Sequence, residues 1–107
     1  MLTNSDKEIL NYISEYIYEN TNMIPKQMQI NRNTYQLQIH TPTVIMPISI
    51  TFPRTIDEPI RIIVALNHFH LDLAHRYEYL IDTYIYTYDD IDNIIDSIKY
   101  IRPYKIY

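Results

Sequence analysis

The chain has 107 residues, of which 47% are apolar, and a formal charge of −4, a balance that fits one small domain with a filled core. The complete lack of cysteine excludes disulfides, thiolate metal sites and cysteine nucleophiles, and the complete lack of glycine excludes the Gly-rich loops that cradle phosphates. Nine scattered basic residues against thirteen acidic ones argue against a surface that tracks nucleic acid, which needs clustered Lys and Arg.

The first element reads as a helix. Ser5 and Glu8 have the spacing of a capping box, and Ile9, Leu10, Ile13, Tyr16 and Ile17 fall on one helical face. Asn20-Thr21-Asn22 ends the helix and Pro25 prevents its return. With no glycine available, a turn that needs positive φ must use Asn or Asp.

A β region follows. Met28 and Ile30 share a face in 26–30, and Asn31-Arg32-Asn33 supplies a turn whose tip, without glycine, is left open. Tyr35, Leu37 and Ile39 then alternate with Gln36, Gln38 and His40. Met46, Ile48, Ile50 and Phe52 alternate with Pro47, Ser49 and Thr51 in a third strand. Short polar links between the three predict an antiparallel meander with one buried face. Pro47 lacks a donor and predicts a local edge or bulge.

Phe52–Pro59 is a proline-bounded turn, and the β-branched run Ile60–Ala65 reads as a fourth strand. From Leu66 to Ile81 the pattern is ambiguous: Leu66, Phe69, Leu73, Tyr77 and Leu80 fit a helix, while His68, His70 and Asp72 fit one face of a strand. Tyr84, Tyr86 and Tyr88 alternate with Ile85 and Thr87 as a short extended piece. Thr87 and Asp90 cap a closing helix with an apolar stripe of Ile91, Ile94, Ile95, Ile98 and Ile101, and Lys99 and Arg102 stand at its negative end until Pro103 stops it. The expected fold is a single α+β domain over residues 1–107, a meander of about four strands flanked by an N-terminal and a C-terminal helix.

No run approaches the roughly 18 apolar residues needed to cross a bilayer. The start, Met1 to Glu8, is polar where a signal peptide would be basic and then apolar, so a cytoplasmic location without membrane contact is expected.

From Asn33 to Asp72 the chain resembles the ubiquitin-conjugating enzyme fold and its inactive relatives, the ubiquitin E2 variants and RWD domains. Met46-Pro47-Ile48-Ser49-Ile50-Thr51-Phe52-Pro53 is similar to the family's third strand, which ends in an apolar residue and proline. Ile56-Asp57-Glu58-Pro59-Ile60 looks like a shortened Tyr-Pro-x-x-Pro-Pro turn with a single proline. Phe69-His70-Leu71-Asp72 lies near the family's Phe followed by His-Pro-Asn, and only Phe and His match. The resemblance covers about a third of the chain and implies a catalytically dead member, because the thioester cysteine is missing. Asp72 stands where an Asn would support the oxyanion, and a carboxylate there would repel the developing charge. Such members are similar to recognition modules for ubiquitin, a conjugating enzyme or a short peptide.

The expected function is non-catalytic binding of a protein or peptide partner, without cofactor or metal. Phe69, His70, Tyr84, Tyr86 and Tyr88 are the candidate binding residues, since exposed aromatics make good anchors. A second class is a metal-dependent tyrosine nuclease of the replication-initiator (HUH) type. There His68 and His70 would hold a divalent ion and Tyr100 would attack, against the acidic net charge and the helix at the start of the chain. His68, His70, Asp72 and His75 have a spacing that also permits a plain metal site, although polar residues near a bend usually face water. A third class is a small viral or phage inhibitor of a host protein, compatible with size and acidity and marked by no motif. Ser5, Ser14, Ser49 and Ser97 lack the His and Asp partners of a nucleophilic serine.

Overall fold

The computed structural model describes residues 5–40, 44–55, 57–68 and 76–98. Helix α1 spans Asp6–Thr21, followed by strands β1 (Lys26–Gln29), β2 (Thr34–His40), β3 (Val44–Thr51), β4 (Ile60–His68) and β5 (Arg76–Ile85), and helix α2 (Tyr88–Ile98). The strands form one antiparallel sheet in the order β1-β2-β3-β4-β5. The α+β class and the flanking helices are as expected. Among the described residues the sheet has five strands, in keeping with the expected meander of about four.

Both helices start where their caps predict. The Ser5 hydroxyl accepts from the Glu8 N–H at 3.3 Å and donates to the Glu8 carboxylate at 3.2 Å. Thr87 Oγ1 accepts from the Asp90 N–H, and the Asp90 carboxylate accepts the N–H groups of Tyr86 and Thr87 at 2.8 and 3.0 Å. These bonds satisfy donors that a helix start leaves unpaired. They also hold the Asp90 carboxyl below its ordinary range, the Tyr86 bond first. At its other end α1 is closed by Asn22 in the left-handed region (φ 60°), whose N–H bonds Tyr18 O at 2.8 Å. Asn22 thus takes the position that glycine usually fills.

One sheet face and both helices make the core. Ile9, Leu10, Ile13 and Ile17 of α1 and Ile91, Ile94, Ile95 and Ile98 of α2 pack with Leu37, Ile39, Ile48, Ile50, Ile62, Val64 and Ile85. Met46, Ile48, Ile50 and Phe52 are all buried, as their alternation predicts. Tyr16, placed on the apolar face of α1, is only half-buried at its margin, as is Tyr12. Ile101 lies outside the described residues, as do Lys99 and Arg102.

Four expectations are corrected or sharpened. β1 is exposed throughout, and Met28 pairs with Gln36, so it stands on the face opposite the core. Pro47 sits in the central strand, not at an edge. The β3–β4 ladder passes over Met46 and Pro47, and an irregularity between Val64 and Ala65 leaves Leu80 as one extra residue on β5. The ambiguous stretch from Leu66 to Ile81 is strand over both of its described parts, up to His68 and from Arg76. The glycine-free turn after β1 closes with the Asn31 side chain accepting the Asn33 N–H at 2.9 Å, and the only positive φ among the described residues is at Asn22.

Candidate functional site

With both helices on one face, no described helix covers the other. That outer face carries every second strand residue. On β1 and β2, and at Ser49 and Thr51 of β3, it is a polar band. The Gln38 amide donates to Gln36 Oε1 at 2.6 Å and to Met28 Sδ at 3.0 Å, Gln36 donates to Ser49 Oγ at 3.2 Å, and His40 meets Gln38 Oε1 at 3.0 Å. Toward β5 the band gives way to aromatics. Tyr79 stands opposite Ala65 with 69% of its surface exposed, and Tyr84 stands opposite Arg61 with 52% exposed.

Beside Tyr84 the sheet ends in a cleft of about 290 Å³. It is walled by Phe52, Pro53 and Pro59 and carries Arg54, Glu58 and Arg61 at its polar side. Two prolines contribute to its wall: Pro53 follows β3 and Pro59 precedes β4, and each has its own φ fixed by its ring. Arg61 is held flat by a two-pronged bond to Asp82, Nε to Oδ1 at 2.9 Å and Nη2 to Oδ2 at 2.7 Å. That bond lowers the Asp82 carboxyl and raises the Arg61 guanidinium. Both side chains are about half exposed, so the pair fixes geometry more than it stabilises the fold.

The residues expected to form the site do not share one surface. Tyr84 faces outward from β5, and Tyr86 lies just past that strand, half exposed. Tyr88 is corrected. It is the first residue of α2 and packs edge-on against Tyr12 with ring centroids 4.5 Å apart, which puts it on the helix side of the sheet. The alternation seen across Tyr84, Tyr86 and Tyr88 therefore spans a strand end and a helix start. Phe69 and His70 lie outside the described residues, as do Asp72, His75 and Tyr100. His68 closes β4 between Val44 and Arg76. Among the described residues no three His, Asp or Glu side chains converge as a metal site, and no helix is long and apolar enough to cross a membrane.

Arg54, Glu58 and Arg61 were not singled out by sequence reasoning, although the two prolines that bound their cleft were. The register of Arg61 with Tyr84 is what joins them, and no local pattern carries that information.

The two helices are tied by a separate set of aromatics. The Tyr12 hydroxyl donates to Asp92 at 2.7 Å and the Tyr16 hydroxyl donates to Asp96 at 3.1 Å. Because both bonds advance four residues along each helix, α1 and α2 lie side by side and run in the same direction. The bond to Asp92, with burial and the carboxylate charge, pushes the Tyr12 phenol up to about 12. Burial and the bond to Asp96 also raise Tyr16. This arrangement serves the fold, since it joins two helices that each carry more carboxylates than cations.

Comparison with known proteins finds no matching family model, no matching curated protein and no matching solved structure.

Proposed function

We propose that this chain is a non-catalytic module that binds a protein or peptide partner through the outer face of its sheet. Tyr84, Tyr79 and the cleft between Pro53 and Pro59 form the contact. The observation that carries this reading is two large tyrosines half or more exposed on one face of one strand, next to a cleft that holds a paired arginine. Tyrosine on a strand loses little conformational freedom on binding and offers both an apolar ring and a hydroxyl. An apolar cleft with a few oriented polar groups is the usual form of a recognition site.

Kinship with the inactive ubiquitin-conjugating variants is part of the proposal. The passage from the proline turn straight into β4 supports it, while β5, paired along β4, is a strand the resemblance does not account for. The test is to titrate labelled chain with ubiquitin-like proteins, a peptide array and single-stranded oligonucleotide with manganese. A protein or peptide hit weakened roughly tenfold or more by Tyr84→Ala is expected. A partner found only among nucleic acids, or cleavage of the oligonucleotide, would contradict the proposal.

A further inference from the structure

The helix layer is charged very differently from the sheet. α1 carries Asp6, Glu8, Glu15 and Glu19 against Lys7 alone, and α2 carries Asp89, Asp90, Asp92 and Asp96 with no cation. At the helix starts such carboxylates are stabilising, because they face the positive end of the dipole. Glu15 and Glu19 are placed differently. They sit in the C-terminal half of α1, whose last turn holds no basic residue. Glu19, in the last turn, adds to the negative end of the dipole, which disfavours the isolated helix, and Glu15 lies one turn before it on the same side. Neither faces a cation among the described residues.

Next to them lies an open groove of about 240 Å³, formed by Ser14, Glu15 and Tyr18 on α1 and by Ile24 and Pro25 in the link to β1. Ile24 is 81% exposed and Tyr18 is half exposed. One isolated exposed isoleucine needs no explanation. An exposed isoleucine, tyrosine and proline lining one groove, beside Glu15 and the last-turn Glu19, make a combined surface that folding alone does not favour.

We propose that this groove docks a basic amphipathic segment of a partner protein, with an apolar side chain between Tyr18 and Ile24 and Lys or Arg residues against Glu15 and Glu19. Charge complementarity selects the occupant. A cation there gains from both carboxylates and from the helix end, while an acidic partner, including a second copy of this acidic chain, is repelled. The site lies on the layer opposite Tyr84 and goes beyond the function proposed above. Either surface can fail without the other.

The test uses the full chain and a labelled helical peptide of Leu and Lys in amphipathic spacing, followed by fluorescence anisotropy. A charge-reversed Leu and Glu peptide and a Ser and Lys peptide without apolar residues are the controls. Only the Leu and Lys peptide is expected to bind, with affinity falling roughly tenfold or more on raising salt from low concentration to about 0.5 M. Ile24→Ser, at a position too exposed to affect folding, and the double change Glu15→Lys with Glu19→Lys are each expected to weaken binding roughly tenfold. Tyr84→Ala should leave it unchanged. Equal binding of the Ser and Lys peptide, or of the Ile24→Ser chain, would overturn the proposal. Self-association of the chain that Ile24→Ser abolishes would also overturn it, by assigning the groove to a second copy.

Discussion

Tyr12 shows how one side chain can couple packing to pH. Its hydroxyl bonds Asp92, and ionising it would set a phenolate against that carboxylate. An unfolded tyrosine loses its proton near the ordinary value of 10.0, whereas Tyr12 in the folded chain holds it up to about 12. The folded state therefore binds the proton more tightly, so this stabilisation is complete below pH 10 and is lost as pH rises through 12. Alkaline titration of phenolate absorbance should show a late-ionising tyrosine that is absent from Tyr12→Phe. Removing the hydroxyl is expected to cost about 1 kcal/mol in denaturant unfolding at neutral pH. Asp82 and Asp90 act in the opposite sense. Their lowered values mean stabilisation that is present above the ordinary carboxylate range and lost as pH falls through the folded-state values. The Asp90 cap was legible, but the Tyr12–Asp92 and Arg61–Asp82 pairings were not, since their partners are 80 and 21 residues apart. The spacing of Tyr12 and Tyr16 on α1 and of Asp92 and Asp96 on α2 is regular, but nothing local pairs one helix with the other.

At the scale of elements, the caps and stripes of both helices could be read because they are local. Ser5 with Glu8 and Thr87 with Asp90 act over one turn, and isoleucines three and four apart mark a buried face without knowledge of the partner. Thr87→Ala is expected to lower stability by about 1 kcal/mol in chemical denaturation, with the helical circular dichroism of α2 fraying first. Asn22→Gly should preserve or raise the melting temperature, because glycine enters the left-handed region freely. Asn22→Ala should lower stability by about 1 kcal/mol. Only the end of β5, at Tyr84 and Ile85, was legible as extended, and for a definite reason. In sequence Tyr77, Tyr79 and Ile81 share one parity, yet the extra residue Leu80 puts Tyr79 on the outer face and Ile81 toward the core. A bulge exchanges the faces partway along a strand, so a test for a single period returns neither helix nor strand. Tyr88 escaped for a related reason: alternation continued by chance from a strand end into a helix start.

The molecule as a whole is two unlike layers. The acidic helices cover one face of the sheet, and the other face is polar at β1 and β2 and aromatic at β5. The core between the layers is built largely of isoleucine, and Ile13, fully buried, touches the centre of it. Ile13→Ala should cost about 2–5 kcal/mol in denaturant unfolding, whereas changes at exposed Tyr84 or Ile24 should be nearly neutral for stability. That contrast matters for function, because a loss of binding in Tyr84→Ala then reports on contact and not on folding. The central claim is recognition by the outer sheet face. It is tested most directly by amide chemical-shift mapping of isotope-labelled chain with the tightest protein or peptide ligand from the titration panel. The account predicts shifts clustered at Thr51, Arg61, Tyr79 and Tyr84, with the buried amides of α1 unmoved. Shifts that leave this face untouched would contradict it.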